Sequence, residues 1–122
     1  MTDGMKIGRE GEELACGYLV EKGFQILKRN ERMPGGELDI IALSPDRTLV
    51  FVEVKTVSKN NTLGIGPEDE MSRSKLNKFR KAAYLYANSN PKLIDDEVGW
   101  RLDVLAITKT GSSFGVTHYE NV

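Results

Sequence analysis

Glu37, Asp39, Glu53 and Lys55 stand in two short apolar segments, GELDIIAL and LVFVEVKT, joined by SPDR. Three carboxylates and an amine at one end of a hydrophobic hairpin need a reason. Side chains alternate faces along a strand. In the first segment Glu37, Asp39, Ile41 and Leu43 share one face, and Leu38, Ile40 and Ala42 the other. In the second, Leu49, Phe51, Glu53, Lys55 and Val57 share a face, and Val50, Val52, Val54 and Thr56 the other. A turn that pairs Leu43 with Leu49 puts Asp39 directly opposite Glu53. A slip of one residue separates them.

Alternating Glu-Val-Lys ordinarily marks the solvated face of a half-buried sheet. Near this turn, however, both faces are apolar on both strands: Ile41, Leu43, Leu49 and Phe51 on one, Ile40, Ala42, Val50 and Val52 on the other. A sheet apolar on both faces is covered on both. The carboxylates therefore close the end of a covered face. Carboxylates this near repel, which raises the pKa of at least one unless charge is supplied. Lys55 supplies one positive charge and a divalent cation two. The available donors are all oxygen, which suits Mg²⁺ or Mn²⁺. The matching chemistry is phosphodiester hydrolysis. The metal polarises the phosphate and lowers the pKa of a bound water, and a neighbouring lysine orients that water or steadies the phosphate oxygens.

The elements that must hold these groups follow from the pattern. Residues 8–22 read as a helix with Gly11, Leu14, Ala15, Tyr18 and Leu19 on one stripe, stopped by Gly23. Glu13 points away from that stripe. Glu12 lies at its edge, where it either reaches toward the carboxylate end of the sheet or serves as a favourable charge near a helix N-terminus. Residues 24–30 read as a short strand and MPGG as a turn. Leu38–Leu43 and Leu49–Val57 are the hairpin. SKNNTLGIGPEDE, residues 58–70, has no period and reads as a mobile loop over the site. Residues 71–88 read as a second helix with Leu76, Phe79, Ala83, Tyr86 and Ala87 on its stripe. Trp100–Thr108 and Phe114–Tyr119 read as strands, with Trp100, Phe114 and Tyr119 as core rather than as base-stacking platforms. The order is α-β-β-β-α-β-β, an α/β mixed sheet with a helix for each face.

A chain of 122 residues suits a single domain spanning residues 1–122. The net charge of −1 excludes a global field that draws in polyanions, so any nucleic-acid contact must be local. One cysteine, Cys16, and one histidine, His118, exclude a Cys/His zinc cluster. The unpaired cysteine fits a reducing compartment, and a cytoplasmic protein is expected. No apolar run approaches the ~20 residues of a membrane span.

The joint pattern G-x-x-G-E-x-x-A-x-x-Y-L, G-F-x-I-L-x-x-N, G-E-L-D-I-I-A, V-F-V-E-V-K-T and R-L-D-V-L-A-I resembles the YraN family of small bacterial proteins, from about Gly8 to Ile107. That family resembles the PD-(D/E)xK nuclease superfamily and, within it, archaeal Holliday junction resolvases. The resemblance implies a restriction-endonuclease-like fold. It implies that Asp39, Glu53 and Lys55 are the motif residues, and that Glu12 is the helix glutamate completing a metal site of Glu12, Asp39 and Glu53. Lys75 matches a supporting position in the second helix. Leu38 stands where the superfamily's motif has proline. Glu37 belongs to the G-E-x-D signature without an assigned role.

Lys28, Arg29 and Arg32, with Lys75, are the basic residues expected to meet phosphate, giving salt-dependent binding with little sequence preference. Lys78 and Lys81 read as a solvated helix face. The expected function is a Mg²⁺- or Mn²⁺-dependent nuclease acting on branched or damaged DNA. The alternative is a catalytically silent module on the same fold that binds nucleic acid or a protein partner. Cleavage of a four-way junction needs two active sites and hence a homodimer.

Overall fold

The turn between the two motif strands closes on its own side chains. The Asp46 carboxylate accepts hydrogen bonds from the Ser44 hydroxyl, the Thr48 hydroxyl at 2.7 Å and the Thr48 N–H at 3.1 Å. Those bonds hold its pKa down to about 2. Ser44 N–H donates to the Thr48 carbonyl at 2.9 Å, and Arg47 takes a positive φ of 75° at the corner. The turn therefore leaves one register open, Leu43 opposite Leu49.

A computed structural model describes residues 3–58 and 73–122. Its elements are α1 (Asp3–Glu21), β1 (Gln25–Met33), β2 (Gly36–Leu43), β3 (Leu49–Ser58), α2 (Arg73–Ser89), a 3₁₀ turn at Pro91–Leu93, β4 (Trp100–Thr110) and β5 (Ser113–Tyr119). This is the expected order, α-β-β-β-α-β-β. The sheet runs β1-β2-β3-β4-β5. β3 and β4 are parallel, and the remaining neighbours are antiparallel. Antiparallel neighbours need only tight turns, whereas the parallel pair needs a crossover, which carries α2.

Both faces of the hairpin are covered, as its two-sided apolar pattern requires. On one face Ala15 and Leu19 of α1 pack with Ile40, Ala42, Val50, Val52, Leu105 and Ile107. On the other, Phe79, Ala82, Ala83, Tyr86 and Ala87 of α2 pack with Ile41, Leu49, Phe51 and Leu102. Phe51 is fully buried and meets Tyr86 and Trp100 edge-on, at 5.8 and 5.5 Å between ring centroids. Burying a side chain of this size contributes about 1.5–3 kcal/mol. Trp100 and Phe114 pack against these clusters as expected.

Gly11 sets how closely α1 lies on the sheet. A Cβ there would stand 1.9 Å from Thr56 Oγ1 and 2.9 Å from Thr56 Cβ. Only glycine lets the helix cross β3 at this distance, and the next residue on the helix is Glu12.

Three departures from the sequence expectation bear on the site. α1 begins at Asp3 rather than residue 8: no proline interrupts the segment, and Gly4 and Gly8 are carried within the helix. β1 continues past residue 30 to Met33, pairing Glu31 with Leu38 and Arg32 with Glu37. The turn shrinks to Pro34 and Gly35, with φ of 80° at Gly35. Leu38 is the third difference. Alternation assigned it to the face of Ile40 and Ala42, yet it packs in the α2-side cluster with Ile41. The β2–β3 ladder ends at Ile40–Val52; beyond that pair only β1 holds β2, and the β1 residue between the partners of Ile40 and Leu38 is Asn30, whose positive φ breaks the regular pleat. The loop expected at residues 58–70 lies outside the described residues, apart from Ser58, which ends β3.

Candidate active site at the end of the hairpin

Where the β2–β3 ladder stops, a side chain takes over from the backbone. The Val54 N–H donates to Asp39 Oδ2 at 2.9 Å. This bond fixes the Asp39 carboxyl beside β3 and satisfies a strand N–H that would otherwise lack a partner. The turn-set register puts Glu53 on the same face, and its carboxyl hydrogen-bonds that of Asp39. Asp39 and Glu53 are thus in contact, as parity and register require.

Two acids in contact cannot both ionise cheaply. Burial pushes the Asp39 carboxyl up to about 6, against the lowering effect of the Val54 N–H, and the charge of Glu12 pushes it further. Burial also pushes Glu53 up, to about 8. The Asp39 charge adds to this, and Lys55 opposes it. One proton shared between the two carboxyls turns their repulsion into a hydrogen bond. Both acids are only partly exposed, and they line a pocket of about 230 Å³. Gly35, Gly36 and Glu37 form its hairpin wall, and Lys75, Lys78 and Phe79 its α2 wall.

Glu12 approaches from the opposite face of the sheet. With the Asn30 amide oriented to donate, its nitrogen lies 3.2 Å from Glu12 Oε1 and 3.2 Å from Glu37 Oε1. Asn30 holds a positive φ of 53°, which asparagine tolerates better than most residues. It thereby ties α1 to the G-E-x-D strand and gives Glu37 a partner. Among the described residues, no three His, Cys, Asp or Glu side chains stand together closely enough to hold a metal ion. Glu12 acts on Asp39 through its charge and is tied by Asn30 to Glu37.

The basic residues divide. Lys75 lines the carboxylate pocket as expected, and so does Lys78, which the sequence placed on a solvated face. Lys55 is half-buried and lowers the Glu53 pKa. Arg29 is bound to Glu13 at 2.8 Å, and Lys28 lies 3.6 Å from Glu31. Arg32 is exposed opposite Glu37. Lys28, Arg29 and Arg32 thus lie along the edge strand β1, away from the α2 wall that holds Lys75.

A second polar cluster, unforeseen in the sequence, is built around Asp103, which is 0% exposed. Arg101 Nε donates to it at 3.0 Å, the Asn121 N–H at 3.0 Å, and His118 Nε2 lies 2.7 Å away. The other ring nitrogen of His118 is 3.2 Å from the Tyr18 hydroxyl. The cluster pins α1 to β4 and β5. Asp103 and Arg101 both sit within RLDVLAI, but Tyr18, His118 and Asn121 lie outside that motif.

Fold and pocket define a class: an α/β protein whose acidic side chains meet where two central strands part. The chain belongs to the YraN family, matching the model of the uncharacterised protein family UPF0102 over residues 11–107. It is 35% identical to the UPF0102 protein of Flavobacterium johnsoniae over 119 residues, covering 97% of this chain and 94% of that one. It is 39% identical to the UPF0102 protein of Pelobacter propionicus, covering 98% and 83%. It is also 39% identical to that of Alkaliphilus oremlandii, covering 95% and 96%.

Proposed function

We propose that this protein is a divalent-metal-dependent nuclease that hydrolyses phosphodiester bonds at the Asp39–Glu53 pocket, with branched or damaged DNA as substrate. The observation that carries the reading is the contact between two half-buried carboxyls in a pocket walled by lysines. In the fold as it stands a proton joins the pair, and a small hard cation can take that proton's place. The donors are oxygens, and Mg²⁺ commonly uses one or two carboxylates with water and substrate phosphate. Asp39 and Glu53 are the residues that would hold it, with Glu12 adding negative potential. Bound there, Mg²⁺ or Mn²⁺ would polarise the phosphate and supply a hydroxide near neutral pH.

The remaining work belongs to the chain. The Val54 N–H fixes Asp39, so the carboxyl need not reorganise as charge develops. Lys55, two residues from Glu53, is placed to orient water or stabilise the equatorial oxygens. Lys75 and Lys78 hold the phosphate at the mouth. The compartment that suits this reading is the cytoplasm, and no described helix is long and apolar enough to cross a membrane. A homodimer would supply the two sites that four-way junctions require.

One observation favours the second reading, a silent binding module: the net charge of −1 gives the chain no global attraction for nucleic acid. A cleavage screen decides between them. Single strands, duplexes, flaps and four-way junctions are offered with Mg²⁺, Mn²⁺ or EDTA. Metal-dependent cleavage lost in Glu53→Gln supports the nuclease. No cleavage of any substrate, together with no measurable metal site, points to the module.

A further inference from the structure

Five of the 17 Lys and Arg residues of this protein stand on one helix. α2 carries Arg73, Lys75, Lys78, Arg80 and Lys81 and no acidic residue, in a chain of net charge −1. Lys75 and Lys78 face the carboxylate pocket. Arg80 and Lys81 instead line a separate groove of about 500 Å³ with Tyr84, Trp100, Asn121 and Val122. Tyr84 is 58% exposed, and among the described residues it is the one aromatic ring recorded as an exposed large side chain. It lies off the apolar stripe of α2, so the core does not account for it. Arg101 also borders the groove, but its guanidinium is committed to buried Asp103.

We propose that Tyr84 stacks an unpaired nucleobase in this groove, and that α2 carries the strand from there to the carboxylate pocket. The inference rests on the nucleic-acid reading above and narrows its substrate to one with a single-stranded portion. A base offers its face to an aromatic side chain only when unpaired, and such stacking tolerates any sequence. Exposed Arg80 and Lys81 flank the ring where the adjoining phosphates of a stacked nucleotide would lie. Charge complementarity selects this occupant over an apolar one, since a groove holding two cations and no carboxylate side chain is poorly suited to an apolar helix. Nine helical positions separate Lys75 from Tyr84, about 14 Å along the axis at 1.5 Å per residue and about half a turn around it. A strand that engages both must therefore cross the exposed flank of the helix between them, where Lys78 and Lys81 stand.

The test is fluorescence anisotropy of the full chain in EDTA, with a labelled single-stranded oligonucleotide and its duplex. Tyr84→Ala should weaken single-strand binding about five- to a hundredfold and leave duplex binding within about twofold. Tyr84→Phe, which keeps the ring face, should bind as wild type. Thermal melts confirm that these surface variants fold. Unchanged single-strand binding by Tyr84→Ala overturns the proposal. So does a Phe variant as weak as the Ala variant, or equal loss on duplex. Sedimentation adds a further arm: a wild-type dimer that Tyr84→Ala dissociates makes the groove a contact between copies, and also overturns it. The two readings fail separately. Cleavage that persists while Tyr84 proves irrelevant sinks only this inference. Tyr84-dependent strand binding without any cleavage sinks only the nuclease.

Discussion

Replacing Asp39 with asparagine should make the metal-free protein more stable, although it removes a residue at the centre of the site. The Asp39 carboxyl moves from its ordinary 3.8 to about 6, with burial the first cause and Glu12 and Glu37 adding to it. At about 1.4 kcal/mol per tenfold in proton affinity, the fold disfavours this charge by about 3 kcal/mol. That figure is already net of the favourable Val54 hydrogen bond. Asparagine keeps a carbonyl oxygen for the Val54 N–H and can donate to Glu53, much as the shared proton does. It also brings a second N–H that needs an acceptor, which returns about 1 kcal/mol. The expected gain is about 1–2 kcal/mol at pH 8, or several degrees in Tm for a chain of this size.

The sign depends on pH. Between about pH 4 and pH 8 the folded state keeps protons on Asp39 and Glu53 that the unfolded chain has released. Wild-type stability is therefore fully present below the unfolded pKa values and falls as pH rises through the folded ones. Asp39→Asn should flatten that slope, lie about 1 kcal/mol below the wild type near pH 4 and exceed it at pH 8. Urea titrations at both pH values, in EDTA, measure this. A variant less stable than wild type at pH 8 by 1 kcal/mol or more would refute the reasoning and make the ionised Asp39–Val54 bond a structural requirement.

Lys55→Met should slow cleavage of the best screened substrate by about a hundredfold or more. Metal affinity by calorimetry should hold or rise as like charge is removed, and cleavage at the wild-type rate makes Lys55 a surface residue of the strand. Gly11→Ala places a methyl group against Thr56 and should cost about 1–3 kcal/mol in chemical denaturation. Thr56→Ala, which clears the nearest atoms, should restore part of that loss, and strict additivity of the two changes would deny the contact. Asp103→Ala strips a buried partner from Arg101 and should cost about 3–5 kcal/mol. A shift in urea midpoint of less than a third of that would show the network to be dispensable.

Much of the hairpin was legible in its sequence because two short-range rules suffice. SPDR closes on Asp46, and parity then carries Asp39 to Glu53. Two-sided apolar character likewise foretold a helix on each face. Parity failed at Leu38, two residues beyond the last β2–β3 pair, where β2 is held by β1 alone and the positive φ of Asn30 interrupts that neighbour's pleat. Asn30 stood in the quoted pattern, but its role depends on a positive φ and on two glutamates that meet only in three dimensions. Lys78 and Tyr84 lay off the apolar stripe of α2, and a helical wheel alone does not say which exposed flank borders a pocket. The Asp103 network joins residues from both ends of the chain, and its one local pair, Arg101 with Asp103, does not by itself point to His118 or Tyr18.

The Val54 amide is a natural gauge of the site's state. Its proton is held by a carboxylate rather than by a neighbouring strand, so its shielding follows the charge on that acid. Backbone resonances elsewhere in β3 report the sheet, whereas this one reports whatever occupies the pocket. Titration of the acid pair, cation arrival and substrate phosphate should each move a single nuclear magnetic resonance peak, in a protein with no probe attached. Its exchange with deuterated solvent should slow or quicken with the strength of that one bond. Occupancy can therefore be followed without turnover and without knowing the natural substrate.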